Sequence, residues 1–335
     1  MDANLRFWRT EGQSFFQRFL LWVDALDPLL LLKSSDEIRS SRQLLEDSVK
    51  TPSEPLQNDQ KGPHGKGGLI CLSSPSLLSF KSSVHPDTNH ITPVLCRPPG
   101  NCLFLLSSIY KSCTLHPKFL FVSDLSFLQF AFHSYTTVFT LLNGNHTVKG
   151  EEYSVQVKQV CLGMGVITYA SSIGALPLFY MNRYMMTNPL AELVVRKLLY
   201  APLLGLMSAF TVAVVRSPEF ENGIEVMDRN GKVVGVSKAA GEKAVRETAL
   251  SRAALFGTTF FLPSLLMYFV ERTKLAKTPR VLASVRMLLI TSVLTGMLPV
   301  SLSLYPQCGE IKRADLEAEI LSSTEESELF YNRGI

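Results

Sequence analysis

Four long runs without a charged side chain set the terms for any fold of this sequence. Residues 159–182 contain no Asp, Glu, Lys or Arg and are closed by Lys158 and Arg183. As a helix this run is long enough to cross roughly 30 Å of hydrocarbon. Uncharged runs at 198–215, 253–270 and 287–309 follow, bounded by Lys197 and Arg216, Arg252 and Glu271, and Arg286 and Glu310. Gly163, Gly165, Ala170, Ser171, Ser172 and Gly174 offer small faces for close helix approach. Pro177, Pro263 and Pro299 suit lipid-embedded helices, where neighbours satisfy the freed carbonyls. One such run also fits a buried helix of a large soluble protein, but four in series favour the bilayer. A charged fraction of only 19% points the same way, while 46% hydrophobic residues exclude disorder and a net charge of +4 excludes a chain-wide nucleic-acid surface.

Upstream the signal weakens. Residues 98–110 are uncharged but short, and 125–148 is longer but carries His133, Asn143, Asn145 and His146. One crossing is expected there, near 98–117 or 125–142. With spans near 159–182, 198–215, 253–270 and 287–307 the total is about five, which puts the two termini on opposite sides. The expected class is an all-α membrane protein with an N-terminal amphipathic helix and a small soluble hairpin-helix excursion. The expected organisation is an amphipathic helical region at 1–50, a flexible linker at 51–81, a multi-pass domain at 82–309 with the excursion at 217–251, and a polar acidic tail at 310–335. The connection 271–286 has five basic residues against one acid and is assigned to the positive side. Residues 1–10 show neither a secretory signal nor an acid-poor transit peptide.

Within 7–32, Phe7, Trp8, Phe15, Phe16, Phe19, Leu20 and Trp22 alternate with polar residues at helical spacing up to Asp27-Pro28. The apolar face of this helix calls for a partner: the protein's own membrane domain, the headgroup layer, or another subunit. Residues 224–227 and 232–236 flank Asp228-Arg229-Asn230-Gly231, a hairpin turn with glycine at a positive-φ position. Ser237 then caps a helix that runs straight into the 253–270 span. Its Lys238, Lys243, Arg246 and Arg252 read either as a solvated face or as sites for lipid phosphates.

Motifs for catalysis are missing from the sequence. The six cysteines at 71, 96, 102, 113, 161 and 308 form no CxxC pair, the six histidines form no HExxH, and neither a GxSxG elbow nor a dinucleotide fingerprint occurs. No cofactor, metal site or enzymatic activity is expected. Gly65-Lys66 lacks the glycine and hydroxyl residue of a phosphate loop. His85-Pro86-Asp87-Thr88 contains the His-Pro-Asp of Hsp70-stimulating J domains, but Pro93, Pro98 and Pro99 disfavour the flanking helices that module needs. A rigid local turn is the simpler account.

Several separated segments together resemble the sideroflexins, multi-pass proteins of the mitochondrial inner membrane. They are Arg6-Phe7-Trp8 with Ser14, Phe15, Arg18 and Asp27-Pro28; His85-Pro86-Asp87-Thr88; the run GIEVMDRNGKVVGVSKAAGEKAVRETALSR at 223–252; Tyr305-Pro306-Gln307; and Tyr331-Asn332-Arg333-Gly334-Ile335. The resemblance implies import of serine and other small neutral amino acids into mitochondria, and family ties to iron homeostasis and respiratory-chain assembly. Where relatives resemble the amide-rich WQWxNQSxNxxxNYxNRN, this chain has LQFAFHSYTTVFTLLNGN at 128–145. Gln129, Ser134, Asn143 and Asn145 persist as candidate transport-path residues, whereas Phe132, His133, Thr136 and Thr140 replace amides. Intramembrane amides are costly unless they bind substrate, ions or each other, so their loss makes serine itself a doubtful cargo. The HPDT residues are assigned a structural role. Two accounts follow: a carrier of small neutral amino acids, or a non-transporting assembly factor for respiratory complex I or iron-sulfur supply. The expected partners are membrane lipids, small neutral amino acids in the first account and complex I assembly proteins in the second, with no nucleic acid.

Overall fold

The N-terminal helix ends where its punctuation says it must. In the computed structural model, which describes residues 8–9, 14–40, 83–85, 90–105, 122–145, 157–183, 200–272 and 278–335, α1 spans Phe15–Ala25. Ser14 closes a capping box: its hydroxyl accepts from the Gln17 backbone N–H at 3.2 Å, and the Gln17 side-chain Oε1 accepts from the Ser14 N–H at 3.0 Å. Asp27 then caps the short 3-10 turn Pro28–Leu32. The inner face of α1 does pack on the protein itself. Trp22 stacks on Trp8 at 4.9 Å between centroids, and both join Leu255, Phe256, Leu294 and Leu298 in one core. The outer face leaves Phe15, Phe16, Leu20 and Val23 exposed.

The helices α2 (Val122–Asn143), α3 (Val157–Arg183) and α4 (Tyr200–Val215) pack successively, α4 lies against α6 (Lys238–Arg272), and α6 lies against α7 (Pro279–Ser303). Gly205 permits the closest of these approaches: a Cβ there would sit 2.9 Å from the Ala253 carbonyl oxygen. Pro263 and Pro299 lie inside α6 and α7 as expected for lipid-embedded helices. Two helices are long and apolar enough to cross a membrane, Lys238–Val270 and Val281–Ser303; Val160–Gly174 and Ala201–Val215 are shorter apolar helices. Only 28% and 11% of the most apolar windows of the two long helices are buried, and Leu265, Leu266, Phe269, Val281 and Leu288 on these helices are exposed. The described residues therefore establish two candidate crossings rather than the five expected. The 51–81 linker, most of the 98–117 alternative, and Pro86, Asp87 and Thr88 lie outside the described residues.

Between α4 and α6 the short α5 (Ser217–Asn222) leads into β1 (Ile224–Met227) and β2 (Val233–Ser237), the expected hairpin, with Gly231 at φ 81°. α6 then continues unbroken for 35 residues. The all-α expectation is corrected by the segment after α7. β3 (Cys308–Lys312), α8 (Ala318–Ser323) and β4 (Glu328–Asn332) fold back, and β4 pairs with β1 to give an antiparallel sheet of order β2-β1-β4-β3. The acidic tail is thus part of the fold. Its carboxylates serve capping: Glu317 Oε1 accepts from the Lys238 and Ala239 N–H groups at 2.7 and 3.1 Å, while Ser237 Oγ accepts from Ala240, so the free donors of α6 are covered from two sides. In register with Gly309, the Tyr331 ring occupies the space a Cβ would take, 2.2 Å away.

Candidate functional site

Two polar regions lie inside the bundle, and each leaves some buried polar atoms without a hydrogen-bond partner, Asn145 Oδ1 and Arg333 Nε in the one and a larger set in the other. The first is a hub at the end of α2. Arg216, immediately after α4, directs Nε and Nη2 at the two carboxylate oxygens of Glu219, the second at 2.7 Å. Its Nη1 donates to Thr248 of α6 at 2.9 Å and Nη2 also to the Arg333 carbonyl at 2.6 Å. Both partners of this ion pair are almost fully buried. Asn145 completes the hub, donating from Nδ2 to Glu219 Oε2 at 3.0 Å and to the Asn332 carbonyl at 2.8 Å. Arg333 donates to the Tyr305 and Leu302 carbonyls left free past the end of α7. Burial pulls the Arg333 guanidinium down to about 10, partly offset by the Glu247 carboxylate, so it remains charged at neutral pH. Gly334, at φ 70°, passes so close to Arg216 that a Cβ would stand 2.8 Å from Nη2. Sequence spacing joins only Arg216 and Glu219, three residues apart; the rest of the hub draws on segments up to 187 positions apart.

The second region runs along α2 below the hub. Gln129, His133, Thr136, Thr137 and Thr140 recur at three- and four-residue spacing and share one side of the helix. Glycines of α3 give them room: a Cβ on Gly174 would lie 3.1 Å from Gln129 Oε1 and 3.9 Å from His133 Nε2, and one on Gly163 would lie 3.4 Å from the Thr137 methyl. α6 meets the adjacent side of α2 through Phe132 against Phe256, edge to face at 5.5 Å, and Arg252 over Phe139 at 5.1 Å. Thr136 and Thr140 return their hydroxyls to α2 carbonyls. His133 Nε2, Thr137 Oγ1, Thr259 Oγ1 and Arg252 Nη2, by contrast, are buried without a hydrogen-bond partner. Buried polar atoms are paired in the great majority of cases, so these four atoms on α2 and α6 are groups with spare hydrogen-bonding capacity.

The residues expected to line a path are divided between the two regions. Gln129 belongs to the second. Asn143 and Asn145 lie in and beside the hub, Asn143 donating to the Cys96 and Phe139 carbonyls at 3.1 and 2.8 Å while its own carbonyl accepts from the Ile335 N–H. Ser134 is half-buried on a different side of α2 from Gln129. His85 is buried with Nε2 2.8 Å from the Gly144 carbonyl, which fits the structural role assigned to it. Arg252, read as a solvated or lipid-facing residue, is instead 6% exposed inside the bundle, whereas Lys238, Lys243 and Arg246 are exposed. The signal for Arg252 was its position: the last charge before an uncharged run, on a helix that enters the bundle. No group of three His, Cys, Asp or Glu side chains suited to a metal ion occurs among the described residues.

Comparison with known proteins settles the lineage of this arrangement. The family model for sideroflexins matches residues 4–335. The chain is a sideroflexin. It is 39% identical to Sideroflexin-4 of Danio rerio, over the whole of both chains, and 34% identical to Sideroflexin-4 of Homo sapiens, over the whole of this chain and 93% of that one. Sideroflexin-5 of Homo sapiens is 29% identical, covering 98% of this sideroflexin and 91% of its own length. No solved structure matches it. Family membership and the two candidate membrane-spanning helices together make it a membrane protein of a transporter-like family.

Proposed function

We propose that this sideroflexin is a multi-pass carrier of small neutral amino acids in the mitochondrial inner membrane, working by alternating access through the region between α2, α3 and α6. The observation that carries the reading is the set of four buried, unpartnered polar atoms on α2 and α6. Polar groups at membrane depth are retained where they meet a solute, an ion or one another, and these meet none of their own. Gln129 and His133 line the path on this account. Asn143 and Asn145 act one step removed, holding the end of α2 in the hub, and Ser134 has no part in the path. Replacement of family amides by Phe132, His133, Thr136 and Thr140 narrows the hydrogen-bonding capacity of the path and favours alanine or glycine over serine. About five crossings, counting α2, α3 and α4 with the two long helices, complete the bundle.

The test is uptake of labelled glycine, alanine and serine by liposomes containing the purified protein. Uptake that a Gln129→Ala, His133→Ala double variant loses, while the variant retains its thermal stability, supports the carrier. Uptake of none of the three would remove the reading. The competing account, a subunit that assembles respiratory complex I or supplies iron-sulfur clusters, is favoured by one observation: the exposed apolar side of α1, at Phe15, Phe16, Leu20 and Val23. If charged substitutions there abolish organelle respiration while the Gln129, His133 variant leaves it intact, the assembly account replaces the carrier.

A further inference from the structure

Arg252 is a buried cation without an anion. Arg216 is neutralised by Glu219, and Arg333 is held by the Tyr305 and Leu302 carbonyls with the Glu247 carboxylate nearby. Arg252 has no carboxylate within ion-pairing distance among the described residues, and its Nη2 finds no acceptor. The face of Phe139 is its neighbour. A ring face offsets only a fraction of what it takes to withdraw a guanidinium from water, and removal of a charge from water is tolerated where a partner charge arrives. Along α6, Arg252 stands between the hub and the unpartnered Thr259. It lies one helical turn beyond Thr248, which the hub holds, and two turns before Thr259, whose hydroxyl is likewise unpartnered on the same side of α6.

Resting on the carrier reading, we propose that Arg252 is the anchor for the carboxylate of the transported solute. Its guanidinium presents donors in the fork that a carboxylate matches. On this proposal the ammonium end of a small zwitterion lies toward α2, where the Thr137 hydroxyl and His133 Nε2 are the unpartnered acceptors. One uncompensated cation matches one carboxylate. The region therefore selects monocarboxylate amino acids and rejects both dicarboxylates and amines that lack a carboxylate.

The experiment uses the purified full chain and two readouts, thermal stabilisation by ligand in detergent and uptake into liposomes. Glycine, acetate and glycine methyl ester are compared on the wild type, Arg252→Lys and Arg252→Gln. The expected result is stabilisation of the wild type by glycine and acetate but not by the ester. Arg252→Gln should lose glycine stabilisation and uptake by about tenfold or more, the loss of a charge-assisted pair, and Arg252→Lys should keep part of both. Stabilisation by the ester equal to that by glycine overturns the proposal whether or not Arg252→Gln folds. So does undiminished glycine uptake by Arg252→Gln, an outcome that leaves the carrier standing. Arg252-dependent stabilisation without uptake keeps the carboxylate anchor and removes the carrier. Absence of stabilisation by any of the three in the wild type removes the anchor.

Discussion

Glu219 is the residue on which the hub turns. It balances Arg216, accepts from Asn145 through backbone and side chain, and lies almost fully buried, so its removal leaves a guanidinium uncompensated in the interior. Glu219→Ala is expected to lower unfolding stability by about 3–5 kcal/mol, the usual cost of stranding one member of a buried pair, read as a fall in melting temperature of the detergent-solubilised protein. Gly309 gives a second test. With the Tyr331 ring in the space of its missing Cβ, Gly309→Ala should destabilise by about 1–3 kcal/mol through overpacking, and Tyr331→Leu in the same chain should recover part of the loss. At this scale the sequence was a partial guide. Asn143 and Asn145 could be picked out because amides at membrane depth are costly, but their donors serve the backbone and Glu219, and only the three-dimensional pairing distinguishes that use from contact with a solute. Arg216 closes an uncharged run as Arg252 opens one, and Glu219 stands three residues on, but their tie to Arg333 spans 117 residues and carried no local signal.

Among the elements, α6 combines a polar start and a hydrophobic end in one helix, and its start depends on a side chain from the distant segment after β3. Glu317 accepts two N–H groups of its first turn. Glu317→Ala is expected to cost about 1 kcal/mol, the typical value of a helix cap. Burial works against ionisation of Glu317, but hydrogen bonds from Ser237, Lys238 and Ala239 outweigh it and hold the carboxyl below its ordinary value of 4.5. A depressed carboxyl contributes stability that is present above the ordinary value and lost as pH falls through it. The difference in melting temperature between wild type and Glu317→Ala should therefore hold from neutral pH to about 5 and shrink on further acidification. The end of α1, the hairpin and the entry into α6 were legible because Asp27, Gly231 and Ser237 act on neighbours three or fewer residues away. β3 and β4 were not. Each is five residues long, and they pair across an acidic stretch whose composition reads as a tail, while the side chains that fix the pairing, Tyr331 over Gly309, meet only in the sheet.

At the scale of the whole molecule the sheet and the hub form one lid across the end of the bundle where α2 and α7 finish. Cys308, on β3, reports on that lid. Burial raises its thiol to about 12, with Glu310 adding to the rise and Arg9 opposing it, so the thiolate is scarce at neutral pH. Maleimide should leave Cys308 unmodified in the native protein and label it in Glu219→Ala or Tyr331→Ala, as measured by mass spectrometry of the peptide that contains it. On the proposed carrier reading, labelling of Cys308 in the wild type that rises with added glycine would mean that this lid moves when the solute binds.

The hub also governs when folding can finish. Asn145 meets the Asn332 carbonyl across 187 residues, and Arg216 waits for the Arg333 carbonyl. During synthesis, every helix through α7 therefore enters its place with Arg216 and Asn145 lacking their last partners. Closing so long a loop adds little in free energy over a shorter one but delays the contact in time. A nearly complete bundle thus persists with an open polar end, and this interval is when the nascent protein is most exposed to capture by quality control.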